Sequence, residues 1–140
     1  MLAAFSVAFC FSGVSESTEN HPVVYILPEN ASGKQVGEIF TVTVGANYLT
    51  GKNLYGFDIV LKWDPTSLEY VSHEVKVPVE VYSNGVLHAP IIEVKNEVDD
   101  YVGACWIAYA SLSPADPFNE DGIFFTITFK VIKELSLIHI

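Results

Sequence analysis

The sequence predicts an all-β domain built as a two-sheet sandwich. Its 140 residues are 50% hydrophobic and 17% charged, enough apolar material for one buried core without disulfides or metals. Short runs of β-branched and aromatic residues alternate with polar ones and are bounded by Gly, Pro, Asn and Asp. No stretch of convincing length has helical periodicity. Such one-sided alternation is typical of a sandwich, in which each sheet has one buried and one wet face.

The first three strands are predicted most clearly. Residues 23–27 are apolar and mostly β-branched, and Pro28 ends the run because it has no amide hydrogen to donate. In 39–46, alternate residues face one way, namely Phe40, Val42, Val44 and Ala46. The run 55–63 has a second inward row, Tyr55, Phe57, Ile59, Leu61 and Trp63. Its outward residues are Asp58, Val60 and Lys62.

Turn signals separate the five later strands. The predicted strands are 68–75, 79–82, 91–95, 101–111 and 123–132. The turn before the first of them is Asp64-Pro65, and those that follow are Ser83-Asn84-Gly85, Asp99-Asp100 and the long loop 113–122. No internal repeat or second domain is indicated, so the sandwich is expected to occupy residues 18–134.

The two ends of the chain are interpreted separately. Residues 2–14 are almost wholly apolar or small, too few to span a bilayer as a helix but suited to the core of a signal peptide. We therefore predict a signal peptide over 1–17, truncated at its start, and export to the cell surface or beyond; a buried first strand is the alternative. Residues 135–140 resemble translated adapter sequence and are expected to be non-native.

Asn30-Ala31-Ser32 is a possible N-glycosylation acceptor.

Composition argues against several functions. The net charge of −10 and pI near 4.6 disfavour binding to nucleic acid and to anionic lipid. There is no glycine-rich phosphate loop, nucleophile elbow or histidine pair with metal-ligand spacing, so we expect no catalysis and no metal. The loop 113–122 has four potential oxygen ligands without EF-hand spacing, which leaves Ca²⁺ open as an alternative. Cys105 is expected to be a core thiol.

Aromatic side chains in this sequence have two alternative roles, which are packing in the core and stacking against a bound sugar at the surface. Most of the four candidates fall in rows that look inward, which favours core packing; they are Tyr55, Trp63, Trp106 and Tyr109.

Three segments together resemble the cohesin domain, a β-sandwich module of extracellular scaffolds. Residues 55–70 run from Tyr55-Gly56-Phe57-Asp58 to Trp63-Asp64-Pro65, similar to the family's strand that ends in aromatic-Asp-Pro. Residues 120–131 resemble its closing strand, where an acidic-Gly turn leads into alternating apolar residues and Lys-Val. Residues 36–44 fit its early strand. The likeness covers about 23–133.

The resemblance implies a jelly-roll β-sandwich of about nine strands, related to carbohydrate-binding-module sandwiches, with no catalytic activity. Cohesins bind dockerin modules, commonly through an Asn-x-Asp pair that corresponds here to Gly56 and Asp58. The Asp is present and the Asn is not. Gly56, Asp58, Val60 and Lys62 are therefore the partner-binding candidates, with an ordinary solvated sheet face as the alternative.

The leading functional hypothesis is an extracellular dockerin-type attachment module in polysaccharide-degrading or cell-surface assemblies. Direct carbohydrate binding or adhesion, with polysaccharide as the partner, and a structural stalk unit are the alternatives. A row of exposed aromatic residues would favour sugar, whereas mixed polar and aliphatic residues would favour protein.

Overall fold

Two antiparallel sheets face each other in the computed structural model, which describes residues 5–11, 21–29, 31 and 33–134. Eight strands are present in these ranges: β1 (Phe5–Phe11), β2 (Val23–Leu27), β3 (Ile39–Asn47), β4 (Leu54–Lys62), β5 (Leu68–Val75), β6 (Ile91–Asp99), β7 (Ala104–Ser111) and β8 (Gly122–Val131). Sheet A has the order β1-β4-β7-β6 and sheet B the order β2-β3-β8-β5. The described residues contain no helix. The predicted all-β sandwich is confirmed.

Aromatic side chains join the two sheets in the core. The Phe57 ring of β4 lies 4.5 Å from the Phe124 ring of β8, measured between centroids. Trp63, directly after β4, lies 4.9 Å from Phe129. Contacts of this kind add about 0.5–1.5 kcal/mol each beyond the apolar area they bury. The inward row of β4 therefore packs on β8 of the other sheet, and in the rows predicted for β3 and β4 every residue except Tyr55 is buried.

Three predicted strands need correction. Residues 79–82 form a turn rather than a strand, because the Pro78 carbonyl accepts hydrogen bonds from the amides of Val81 and Tyr82, both at 3.0 Å. β6 is longer than predicted and continues to Asp99. β7 begins at Ala104 rather than at residue 101 because residues 101–103 form the turn between them.

Gly103 is required at the end of that turn. Its φ is +77°, a conformation that residues with a side chain rarely adopt. A Cβ at this position would also collide with the carbonyl oxygen of Trp63. The Gly103 carbonyl in turn accepts a hydrogen bond of 2.9 Å from the Trp63 amide. The turn thus ties the start of β7 to the end of β4.

The segment predicted as a signal peptide contains β1. This strand pairs antiparallel with β4, from Phe5 opposite Leu61 to Phe11 opposite Leu54. The alternative of a first strand therefore describes the arrangement of Phe5–Phe11, and cleavage of residues 1–17 stays a prediction. Residues 12–17, Asn30 and the tail 135–140 lie outside the described residues.

Candidate binding face

The outer face of sheet A carries the partner-binding candidates. Antiparallel pairing aligns side chains in rows across β4, β7 and β6. Three consecutive rows are Asp58–Ala108–Lys95, Val60–Trp106–Glu97 and Lys62–Ala104–Asp99. These nine residues are apolar along β7, charged along β6 and mixed along β4, and we call the surface that they form the binding face.

Trp106 is held at the centre of this face. Its indole N–H donates a hydrogen bond of 2.6 Å to Asp58 Oδ1, and Lys95 Nζ lies 4.8 Å from the ring centroid, within the range of a cation–π interaction. Asp58 and Lys95 both lie in the row of Ala108, which is adjacent to the row that contains Trp106. The indole must therefore lean across Ala108, which is only 3% exposed although it faces outward.

A shallow depression lies beside Trp106, toward the β6–β7 turn. Its lining combines apolar and acidic residues: Val60, Glu97, Val98, Asp99, Asp100, Val102, Ala104 and Trp106. Asp99 shapes the turn, since its Oδ1 accepts hydrogen bonds from the amides of Tyr101 at 3.1 Å and Val102 at 3.2 Å. Tyr101 is consequently 89% exposed and Val102 58% exposed. Exposed apolar side chains and carboxylates therefore lie together at this end of the binding face.

Comparison with known proteins now identifies the family. The family model of the cohesin domain matches residues 26–138. The chain belongs to the cohesin family. Two solved structures share its fold.

The first is a type I cohesin–dockerin complex with Coh-OlpA from Clostridium thermocellum, with a TM-score of 0.60, 19% identity and coverage of 83% of this chain and 75% of that one. The second is the third cohesin of ScaC from Acetivibrio cellulolyticus in complex with the ScaB dockerin, with a TM-score of 0.53, 18% identity and coverage of 70% and 63%. Comparison with curated protein sequences finds no match.

The four predicted contact residues of this cohesin differ in accessibility. Gly56 is buried, and a Cβ there would lie 3.0 Å from the Tyr109 carbonyl oxygen and 3.3 Å from Ala110 Cβ. Asp58 and Val60 are half-buried and Lys62 is exposed. The backbone of Gly56 thus has a packing role, and the other three line the binding face. Asp58 is already engaged by Trp106.

Trp106 was missed by the sequence interpretation, which favoured core packing for most of the aromatic candidates. It is 39% exposed, whereas Trp63 and Tyr109 are buried. Strict period-two alternation from the buried Cys105 would have placed Trp106 on the outer face. The alternation was the available signal, and the apolar character of the neighbouring residues obscured it.

Loop 113–122 of this cohesin uses side-chain oxygens to fasten a neighbouring turn. Asp121 Oδ1 accepts a hydrogen bond of 3.1 Å from the Leu49 amide. Asn119 Oδ1 accepts one of 2.7 Å from the Asn53 amide, and Asn119 Nδ2 donates one of 3.0 Å to Asn53 Oδ1. In the described part of the chain, no three His, Cys, Asp or Glu residues are arranged to hold a metal ion.

Cys105 is completely buried, as predicted, and burial raises its pKa to about 12. A thiol in such surroundings stays protonated and unreactive at neutral pH. Among the described residues, no helix has the length and apolar character needed to cross a bilayer.

Proposed function

We propose that this cohesin is a non-catalytic extracellular module that binds a dockerin-type protein partner on the binding face. The observation that carries the proposal is the composition of that face. On β4, β6 and β7 the aligned rows present one aromatic residue, Trp106, among aliphatic and charged side chains. Sugar-binding platforms rely on several exposed rings for stacking, whereas protein interfaces combine an aromatic anchor with aliphatic and polar residues.

The structural neighbours support the same partner class. Both solved structures described above contain a cohesin together with a dockerin. Likeness of fold by itself does not select a surface, so the binding face is chosen on its exposed apolar residues and its mixture of charges. Export through the leader 1–17 completes the proposal; the N-terminal sequence of the protein recovered from a secreting host is expected to begin near residue 18.

The test is a calorimetric titration of the chain with a panel of type I dockerin modules. Val60→Arg places a long cationic side chain beside Trp106, and we expect it to weaken binding at least about tenfold, equivalent to about 1.4 kcal/mol. Thr43→Arg is the matched control. Thr43 is half-exposed and lies on the outer face of sheet B. It is paired with Leu27 of β2 on one side and with Thr126 of β8 on the other.

Two outcomes would contradict the proposal. Equal losses in Val60→Arg and Thr43→Arg would mean that binding does not use the binding face. Capture of the chain by insoluble polysaccharide, unaffected by Val60→Arg and without dockerin affinity, would favour the carbohydrate alternative.

A further inference from the structure

We propose that Trp106 is the anchor for the partner on the binding face, and that Asp58 is a positioning residue that acts through it. The inference deepens the proposed function and rests on it for the identity of the partner class. It assigns a different role to Asp58 from the direct contact that the sequence suggests.

The orientation of the indole is the first step of the argument. A tryptophan on a solvated sheet face ordinarily samples several rotamers, because little holds it. Here the Asp58 carboxylate fixes the indole N–H at 2.6 Å, and the Lys95 ammonium faces the ring at 4.8 Å. A hydrogen bond to a charged acceptor is stronger than a neutral one. The two contacts come from strands on either side of β7, so they restrain the ring from both sides.

The small side chain of Ala108 makes this orientation possible. Ala108 occupies the position between Asp58 and Lys95 in the same row, and its 3% exposure indicates that the ring covers it. A larger residue there would lift the indole away from the sheet and lengthen its hydrogen bond. β7 therefore contributes both the Trp106 ring and the small residue, Ala108, on which the ring packs.

A restrained anchor favours binding because less conformational freedom is lost when the partner arrives. Immobilising one flexible side chain at an interface weakens affinity by roughly threefold to tenfold. If Asp58 and Lys95 restrain Trp106 before binding, the free chain has already lost that freedom. Loss of Asp58 should then weaken partner binding by a factor of this size, without any direct contact between Asp58 and the partner.

The first experiment needs no partner and uses the full chain labelled with ¹⁵N. Trp63 is 4% exposed and Trp106 39% exposed, so acrylamide quenching of fluorescence and the indole N–H resonances distinguish the two. Asp58→Ala is expected to shift the Trp106 indole resonance and increase quenching. Asp58→Asn, which keeps an oxygen acceptor, should restore most of the wild-type signal. Lys62→Ala, on the same face of β4, is the control. An unchanged Trp106 resonance in Asp58→Ala would overturn the positioning role.

The second experiment is a double-mutant cycle with the dockerin that binds most tightly in the panel. Asp58→Ala should cost about threefold to tenfold in affinity in the wild-type background and close to nothing in the Trp106→Ala background. An equal cost in both backgrounds would show that Asp58 contacts the partner directly and would overturn the inference. Absence of any dockerin binding would instead contradict the proposed function and the anchor role together, while the spectroscopic result still decides whether Asp58 orients the ring.

Discussion

At the scale of single residues, Asp64 shows why an Asp-Pro pair follows β4. Its carboxylate accepts hydrogen bonds from the Thr66 amide at 3.0 Å, the Thr66 hydroxyl at 2.7 Å and the Ser67 hydroxyl at 2.9 Å. Pro65 fixes the backbone between them. The Thr66 side chain contributes most to lowering the pKa of Asp64, and its amide and the Ser67 hydroxyl lower it further. The turn thus holds the buried Ser67 in place directly before β5 begins at Leu68.

Removal of this carboxylate should destabilise the domain. We expect Asp64→Ala to lower the free energy of unfolding at pH 7 by about 1–2 kcal/mol, because three donors lose their acceptor. Because the pKa of Asp64 is lower in the folded state than in the unfolded state, its ionised carboxylate stabilises the fold fully above the unfolded pKa. This stabilisation is lost as pH falls through the folded pKa. Urea titrations at pH 7 and pH 3 should therefore show a smaller difference at pH 3. Asp116→Ala, with the same change in charge, is the control; an equal effect there would contradict the assignment.

Cys105 permits a chemical test of the core. Its thiol is buried with a pKa of about 12. In a Cys10→Ser variant, which leaves one cysteine, we expect no reaction with a disulfide reagent at pH 8 in the folded state and complete reaction in guanidinium. The measurement is the absorbance of the released thiolate. Rapid labelling of the folded protein would contradict the buried position.

At the scale of elements, side chains link the edges of the two sheets. The Tyr70 hydroxyl is 2.7 Å from His73 Nδ1, and His73 Nε2 is 2.7 Å from Asn96 Oδ1. Since Asn96 Oδ1 is an acceptor, His73 Nε2 carries the proton and Nδ1 accepts from Tyr70. Asn96 Nδ2 then donates to the Tyr109 hydroxyl at 3.1 Å. β5 of sheet B is thereby joined to β6 and β7 of sheet A.

The network continues to a carboxylate. The Tyr109 hydroxyl donates a hydrogen bond of 2.5 Å to Glu93 Oε1. Burial, followed by this bond, raises the pKa of Tyr109 to about 12, and the same bond is the main cause of the lowered pKa of Glu93. Both shifts favour a protonated phenol beside an ionised carboxylate at neutral pH.

Breaking the link between the sheets should lower stability over a defined pH range. We expect Asn96→Ala to reduce the free energy of unfolding, measured by urea titration, by about 0.5–1.5 kcal/mol, because His73 and the buried Tyr109 each lose a hydrogen-bond partner while Asn96 itself is exposed. The pKa of Tyr109 is higher in the folded state than in the unfolded state, where it is near 10. The protonated phenol therefore stabilises the fold fully below pH 10, and this stabilisation is lost as pH rises through the folded pKa.

Tyr109→Phe should consequently flatten the loss of stability between pH 10 and about 12. Urea titrations across that range are the measurement, with Tyr48→Phe as the control. An unchanged alkaline profile would show that Tyr109 does not contribute to it.

At the scale of the whole molecule, the sequence predicts the layers better than the surface. Alternation locates β2, β3, β4, β5 and β8 within a residue or so, because burial of one sheet face imposes period two. Residues 79–82 alternate as well, yet hydrogen bonds to the Pro78 carbonyl curl them into a turn. The binding face was predicted from β4 alone. Trp106, Lys95 and the β6–β7 turn join it only through pairing between strands distant in sequence, which local patterns do not contain.

The pairing of β1 with β4 predicts a measurable effect of processing. A chain that begins at Thr18 lacks Phe5–Phe11, so the backbone amides and carbonyls of β4 that β1 occupies lose their partners. We expect a lower urea midpoint and concentration-dependent self-association, since an uncovered strand edge is a template for pairing. Sedimentation velocity and urea titration of both chains are the measurements. Identical behaviour would show that β1 adds no stability.

The opposite border of sheet A has a built-in irregularity. The register of β6 against β7 shifts between Glu93 and Lys95, so Val94 is left over as an extra residue and is 61% exposed. A bulge of this kind bends the strand and puts its outward amides out of phase with those of an incoming chain. Copies of the chain at high concentration would therefore be hindered from merging their sheets into fibres through this border. The hindrance is needed because the border contains four aliphatic residues, Ile91, Ile92, Val94 and Val98.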